Sequence, residues 1–325
     1  MKRYFVTGGS GFIGSALVKR LLQAGHAVVV LDDHSRGRSE RLADVPGDLR
    51  VVQGDVRDAA TVAKAAQGAD VCLHLAAVNG TENFYREPGR VLDVGIKGLL
   101  AVMEGCAQSG IKELIVASSS EVYQSPPVVP TPETVPLVIP DPYNPRYSYA
   151  ASKIASEMIA LHMGPNQFER VLLFRPHNVY GPDMGTEHVI PQLALKAARL
   201  ARTADGEIAL PIHGDGSQTR SFIFIDDFVD AFMLMAEHGE HVGIYHLGTE
   251  DEVRIDHVAE LICESLGRRC RLVKAPSPKG ETMRRCPDIA KIRGLGFRDR
   301  IPLRQGVAQT AQWYAANVDR WPARQ

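Results

Sequence analysis

A chain of 325 residues with 45% hydrophobic content is long enough to bury a full core, as one large domain or as a domain carrying a smaller lobe. Its 37 basic and 38 acidic residues leave a net charge of −1, so no overall field recruits nucleic acid or an anionic membrane, and an anionic ligand has to be met by local groups. The five cysteines (Cys72, Cys106, Cys263, Cys270, Cys286) are odd in number and lack paired ligand spacing, which fits reduced core thiols better than disulfides or zinc; no metal site is expected.

In chain order, short β-branched runs alternate with amphipathic stretches. YFVTG (4–8) reads as a strand, FIGSALVKRLLQAG (12–25) as a helix, and HAVVVLD (26–32), VVQGD (51–55) and DVCLHLAA (70–77) as further strands. ELIVASS (113–119) and RVLLFRP (170–176) follow, preceded by helices around Gly98–Ser109 and Tyr149–His162. The alternation predicts an α/β fold, a Rossmann-type doubly wound parallel sheet of at least six strands. Beyond Pro176 the pattern breaks into Gly, Pro, His and Arg, which predicts a smaller substrate-binding lobe from residues 176–221 and 248–325. The sheet domain takes 1–175 plus about 222–247, where RSFIFIDDFVDAFMLMAE reads as strand then helix returning to the sheet. Eight of the 20 prolines fall in 126–145; without backbone donors this segment is a loop. No apolar run approaches the roughly 20 residues of a membrane span, and a cytoplasmic location is expected.

Three strings carry chemistry. In TGGSGFIGS, Gly8, Gly11 and Gly14 follow a predicted strand and open a helix, where glycines let backbone amides and the positive helix end approach a pyrophosphate. A glycine triplet alone can equally be a tight turn. Asp32 comes 18 residues after Gly14, at the end of the second strand, where a carboxylate takes adenosine ribose hydroxyls. It would repel a 2′-phosphate, partly offset by Arg36 and Arg38, so NAD is expected over NADP. Asp55 ends the third strand and either meets the adenine amine or is a turn aspartate.

Tyr149 and Lys153 in RYSYAASKIASE lie four apart on a predicted helix and share a face. An ammonium near a phenol lowers its pKa, and a tyrosine so tuned can exchange a proton with a substrate hydroxyl while hydride moves to or from nicotinamide. Such a pair alone is commonly a solvated helix face. Ser119, at a strand end, supplies a hydroxyl beside the same oxygen. In the stretch ASSSEVYQSPP (117–127), Glu121 then stands directly before the proline-rich loop.

These strings, with HLAA (74–77), RPHNVYGP (175–182), GDGSQTRSFIFIDD (214–227) and YHLGT (245–249), resemble the extended short-chain dehydrogenase/reductases and, within them, the NAD-dependent nucleotide-sugar epimerase/dehydratase family, almost end to end. The resemblance implies an enzyme in which the glycine turn, Phe12, Ile13, Asp32, Asp55, Val56, Leu75, Ala76 and Ala77 hold NAD. Lys153 also bonds the nicotinamide ribose, Tyr149 carries the proton and Ser119 assists it. Asn79, Asn178 and Arg220 resemble positions that hold the sugar diphosphate, with Arg284 in ETMRRCPD a second diphosphate or base contact. A homodimer through the two helices near Gly98–Ser109 and Tyr149–His162 is implied as well.

Two departures stand out. Gly95, in GIKGL, replaces an asparagine the family commonly has, with Asp93 as a substitute or a helix cap; and Gln124 replaces a glycine ahead of the proline-rich loop, a differently shaped substrate mouth. The triplet Ser119, Ser120 and Glu121 is closest to the Thr-Ser-Glu form of 4,6-dehydratases, where glutamate removes the C5 proton after C4 is oxidised. The expectation is therefore a nucleotide-diphosphate-sugar enzyme acting by transient C4 oxidation, 4,6-dehydration ahead of C4 or C5 epimerisation, with decarboxylase and reductase behind. The non-enzyme alternative is a dinucleotide-binding sensor or scaffold, against which Ser119, Tyr149, Lys153 and Arg220 together count.

Overall fold

The computed structural model describes residues 1–204, 206–276 and 282–321. Its first half runs β1 (Arg3–Thr7), α1 (Phe12–Gln23), β2 (Ala27–Asp32), β3 (Leu49–Gln53), α2 (Ala59–Ala66), β4 (Val71–His74), α3 (Thr81–Arg86), α4 (Pro88–Gln108), β5 (Glu113–Ala117), α5 (Ser148–Met163) and β6 (Arg170–Pro176). The second half adds β7 (Val179–Tyr180), α6 (Val189–Thr203), β8 (Glu207–His213), β9 (Thr219–Ser221), β10 (Ile223–Phe224), α7 (Ile225–His238) and β11 (Gly243–Leu247). It closes with β12 (Glu252–Arg254), α8 (Ile255–Ser265), β13 (Arg269–Ala275), β14 (Arg284–Arg285), α9 (Ala290–Gly294) and α10 (Leu303–Ala316).

Seven strands form one parallel sheet in the order β3-β2-β1-β4-β5-β6-β11. Strand alternation sends successive residues to opposite faces: Tyr4, Val6, Val28 and Val30 join the core under α1 and α7, whereas Phe5, Val29 and Leu31 join the core under α2, α4 and α5. Because both faces are covered, β2 is buried along its whole length and reads as a continuous apolar run. The first core continues from the sheet into α6, α8 and α10, so the second half of the chain is packed onto the sheet domain through apolar surface.

The order reverses between β1 and β4. The crevice that this leaves at the carboxyl ends of the strands is where α/β sheets bind ligands. Two local expectations are corrected. The strand read in RSFIFIDD does not enter the main sheet; β10 pairs with β7, and β11, after α7, takes the edge beside β6. The helix expected at Gly98 starts at Pro88, with proline in its first turn; Gly89, Gly95 and Gly98 weaken the helical signal there, but packing of α4 against α2 and α5 overrides it.

Candidate active site

A cleft of about 410 Å³ opens along the carboxyl ends of β1, β2, β4, β5 and β6. Gly8, Gly11, Phe12, Ile13 and Gly14 line one side of it. Gly14 has to be glycine, since a Cβ there would stand 2.2 Å from the carbonyl oxygen of Gly8. Helix α1 has no side-chain cap and no acidic residue in its first turn, which leaves its N-terminal amides and dipole to an anion in the cleft. Asp32 is 6% exposed, with one oxygen taking the Ser10 amide and the other the His34 amide, each at 2.9 Å. This cradle fits a dinucleotide. Leu75, Ala76 and Ala77 line its floor after β4, and Asp55 and Val56 line it after β3.

The charged groups around that half are paired. Arg57 donates to Asp55 and, at 2.6 Å, to Asp93; its guanidinium is the main cause that holds the Asp55 carboxyl below its usual range. Asp93 also meets Lys97 at 2.7 Å, so it neither caps α4 nor reaches the reactive groups. Gly95 has its reason in packing: a Cβ there would lie 2.7 Å from Ser152 Cβ, where α4 crosses α5. Arg36 and Arg38, expected to temper Asp32, are engaged across the mouth instead, Arg36 with Glu187 and the Asn79 carbonyl, Arg38 with Asp183.

At the other end Ser119, Ser120, Glu121, Tyr149, Lys153 and Asn178 line the same cleft. Tyr149 stacks on Phe84 at 5.0 Å with rings 10° apart. Burial pushes its phenol up to about 12, while the hydrogen bond with Ser119 pulls the other way. Burial takes Lys153 down to about 8, opposed by Glu157. Lys153 Nζ donates to the Ala117 carbonyl at 2.7 Å and stands 5.8 Å from the Tyr149 ring centre. The lowering that opposes burial comes first from Ser119 and then from Arg36, whereas Lys153 is turned onto the Ala117 carbonyl. Asn178 takes a left-handed backbone (φ 43°) and donates to the Ser221 carbonyl at 2.8 Å.

Glu121 is half-buried, and its carboxylate accepts from Arg285 Nη1 at 2.7 Å. Burial acts to raise its pKa, but Arg285, then Arg146 and Arg220, outweigh it and hold the carboxyl below its usual range. Arg285 lines the cleft and is 8% exposed; sequence reasoning chose its neighbour Arg284, which is exposed and paired with Glu252 at 2.7 Å. Both sit on the two-residue strand β14, where adjacent side chains face opposite ways. Arg220 is not among the cleft-lining residues; its guanidinium donates to the carbonyls of Thr219 and Thr282. Asn79 lines the cleft, its side chain turned onto the Gly80 amide. All five cysteines are free thiols, and among the described residues no cluster of His, Cys, Asp or Glu is arranged to hold a metal and no helix is long and apolar enough to cross a membrane.

Fold and cleft together define a dinucleotide-dependent enzyme with a tyrosine–lysine pair facing a carboxylate. The sequence profile of the NAD dependent epimerase/dehydratase family matches residues 4–248, and the chain belongs to that family. It is 32% identical over 320 residues to a UDP-glucose 4-epimerase of Mycolicibacterium smegmatis, covering 96% of this chain and 98% of that protein. A trifunctional UDP-glucose 4,6-dehydratase, 3,5-epimerase and reductase of Arabidopsis thaliana is 30% identical over 98% of this chain, which spans about half (48%) of that protein's length. Among solved structures, a dTDP-glucose 4,6-dehydratase of Streptomyces venezuelae with NAD bound superposes with a TM-score of 0.86 at 30% identity, covering 98% of this chain and 99% of that one. Relatives at similar identity also include a UDP-N-acetyl-alpha-D-glucosaminuronate decarboxylase, so family and NAD dependence are settled at a level above the particular reaction.

Proposed function

We propose that the protein is a nucleotide-diphosphate-sugar 4,6-dehydratase. The observation that carries this reading is the Glu121 carboxylate, set in the same cleft as Tyr149 and Ser119 and kept ionised by Arg285. NAD, when bound, supplies a reversible acceptor for the hydrogen removed from sugar C4. Tyr149 takes the proton of the C4 hydroxyl in its phenolate form, which the Ser119 hydroxyl favours against burial, and Lys153 holds its place through the Ala117 carbonyl. The C4 ketone acidifies the C5 hydrogen, and an ionised carboxylate is the form that removes it. Ser120, buried next to Glu121 in the chain, helps the C6 hydroxyl leave in this reading. Asn178 and Asn79 take the diphosphate end. C4 or C5 epimerisation needs the same oxidation but gives no loss of mass.

A second reading has its own observation. The Arg285 guanidinium lines this end of the cleft, so it also suits a sugar carboxylate and decarboxylation after C4 oxidation. A homodimer through α4 and α5 is part of the proposal, supported by Leu100, Met158 and Met163, which those helices leave exposed, as is a cytoplasmic location. Incubation with a panel of uncharged and uronic nucleotide sugars tests the reaction by mass spectrometry. Loss of water is the expected result; loss of carbon dioxide, or an isomer of unchanged mass, overturns it. Light scattering at micromolar concentration tests the dimer, which a monomer mass overturns.

A further inference from the structure

The turn that presents Ser119, Ser120 and Glu121 is held at both ends by one buried ion pair. Glu157 on α5 and Arg175 on β6 are 0% and 2% exposed and meet through two bonds, Nε to Oε1 at 2.8 Å and Nη2 to Oε2 at 2.6 Å. Immediately before the turn, the Ser118 hydroxyl donates to Glu157 Oε1. Immediately after it, the Tyr123 hydroxyl accepts from Arg175 Nη1, and the same nitrogen donates to the Glu133 carbonyl at 2.9 Å. The Tyr123 hydroxyl also meets His246 Nε2 at 2.7 Å. None of Glu157, Arg175 and Tyr123 lines the cleft.

A charge pair taken out of water gains little net stability, because desolvation offsets the attraction. Its geometry does something else. Tyr149, Lys153 and Glu157 recur every four residues along α5 and so project from one side of the helix. They reach three neighbouring points of the chain entering the turn: Ser119, the Ala117 carbonyl and Ser118. The helix that carries the proton-transfer phenol thereby also sets the position of the turn opposite it.

We infer that the Glu157–Arg175 pair is a positioning device: it clamps the Ser119–Val122 turn by Ser118 and Tyr123 so that the Ser119 hydroxyl stays on Tyr149. The inference rests on the reading of Tyr149 and Ser119 as the proton-transfer pair. Ser118→Ala and Tyr123→Phe each release one end of the turn and leave the ion pair whole. Each is expected to lower kcat for sugar-dependent cofactor reduction on the order of 10- to 100-fold, with KM changed by no more than about twofold. Both variants should stay folded with bound NAD at the parent value, the melting temperature falling only by the few degrees that a lost buried hydrogen bond costs. Glu157→Gln should cost more, and Ser118→Ala should add nothing to it, as expected of residues acting through one contact.

A readout independent of any sugar is the 13Cζ resonance of Tyr149 in NAD-loaded protein labelled on tyrosine, identified by its loss in Tyr149→Phe. It should move in Ser118→Ala and in Tyr123→Phe as Ser119 leaves the phenol. An unmoved resonance in these two folded variants overturns the inference whatever the rates, and so does a moved resonance with parent-like kcat. If Glu157→Gln fails to fold, the two single-end variants carry the test. A moved resonance in a protein whose parent reduces its cofactor with no nucleotide sugar sustains the clamp and overturns the reaction reading instead.

Discussion

The two ends of the cleft are built in opposite ways. The cofactor end is made largely of backbone, glycines and small apolar side chains from the loops after β1, β3 and β4, with Asp32 held by backbone amides and Arg36, Arg38 and Arg57 each paired with a carboxylate. The reactive end is made of charged side chains that converge from far apart: Glu121 and Arg285 are 164 residues apart in the chain, and Arg285 arrives on a strand of two residues. Dinucleotide binding is therefore written in short contiguous strings that tolerate little change. The reactive end instead depends on which long-range charges meet, and relatives of about 30% identity include epimerases, dehydratases and decarboxylases.

The contrast is sharpest if each end is broken separately. Tyr149→Phe removes the proton carrier and should slow sugar-dependent cofactor reduction by roughly 10²- to 10⁴-fold with NAD still bound, read from absorbance and from the cofactor released on denaturation. Gly14→Ala attacks the other end. With a Cβ 2.2 Å from a backbone oxygen, it should cost about 1–3 kcal/mol in a thermal melt and reduce the NAD that copurifies, while leaving Glu121 and Arg285 in place.

Arg285→Ala should act through acidity. Arg285 holds the Glu121 carboxyl below its usual range, so the base form persists to low pH in the parent. Losing the guanidinium raises that pKa, so the acid limb of the pH–rate profile should move to higher pH; an unmoved limb would separate Glu121 from the rate. The same linkage applies to stability. The pairing of an ionised Glu121 stabilises the fold above the unfolded carboxyl pKa and is lost as pH falls through the depressed folded value, so the parent should lose its margin over Arg285→Ala on acidification. Arg284→Ala, one residue away but exposed on Glu252, should stay within about 0.5 kcal/mol of the parent with unchanged kinetics.

Six strands of the sheet, the glycine turn and Asp32 were legible from sequence because each is a local pattern: a β-branched run, a glycine triplet opening a helix, an aspartate at a strand end. What was not legible is long-range or decided by a single residue of register. Arg284 and Arg285 are adjacent and chemically identical, and only the direction of β14 tells which faces the cleft. The start of α4 was hidden because Gly95 and Gly98, poor helix formers, are there to let α5 and Val56 approach. The Lys153–Tyr149 spacing predicted a shared face, which the helix provides, but not that the ammonium would be spent on the Ala117 carbonyl. Glu157 had a signal, four residues beyond Lys153 on the same helical face, but its partners Ser118 and Arg175 come from two other strands' ends.

The central claim is that Tyr149 takes the hydroxyl proton in the cofactor-dependent oxidation of C4 while Glu121 removes the C5 proton, two steps that can be parted. The direct measurement is Glu121→Gln turnover of the true substrate in deuterated water, following cofactor absorbance and deuterium at C5 together. The account predicts that the parent incorporates deuterium at C5 and loses water. The variant should still reduce its cofactor but accumulate a 4-keto sugar without deuterium, its overall turnover down roughly 10²- to 10⁴-fold. Parent-like turnover of Glu121→Gln, or no C5 exchange in the parent, would contradict it.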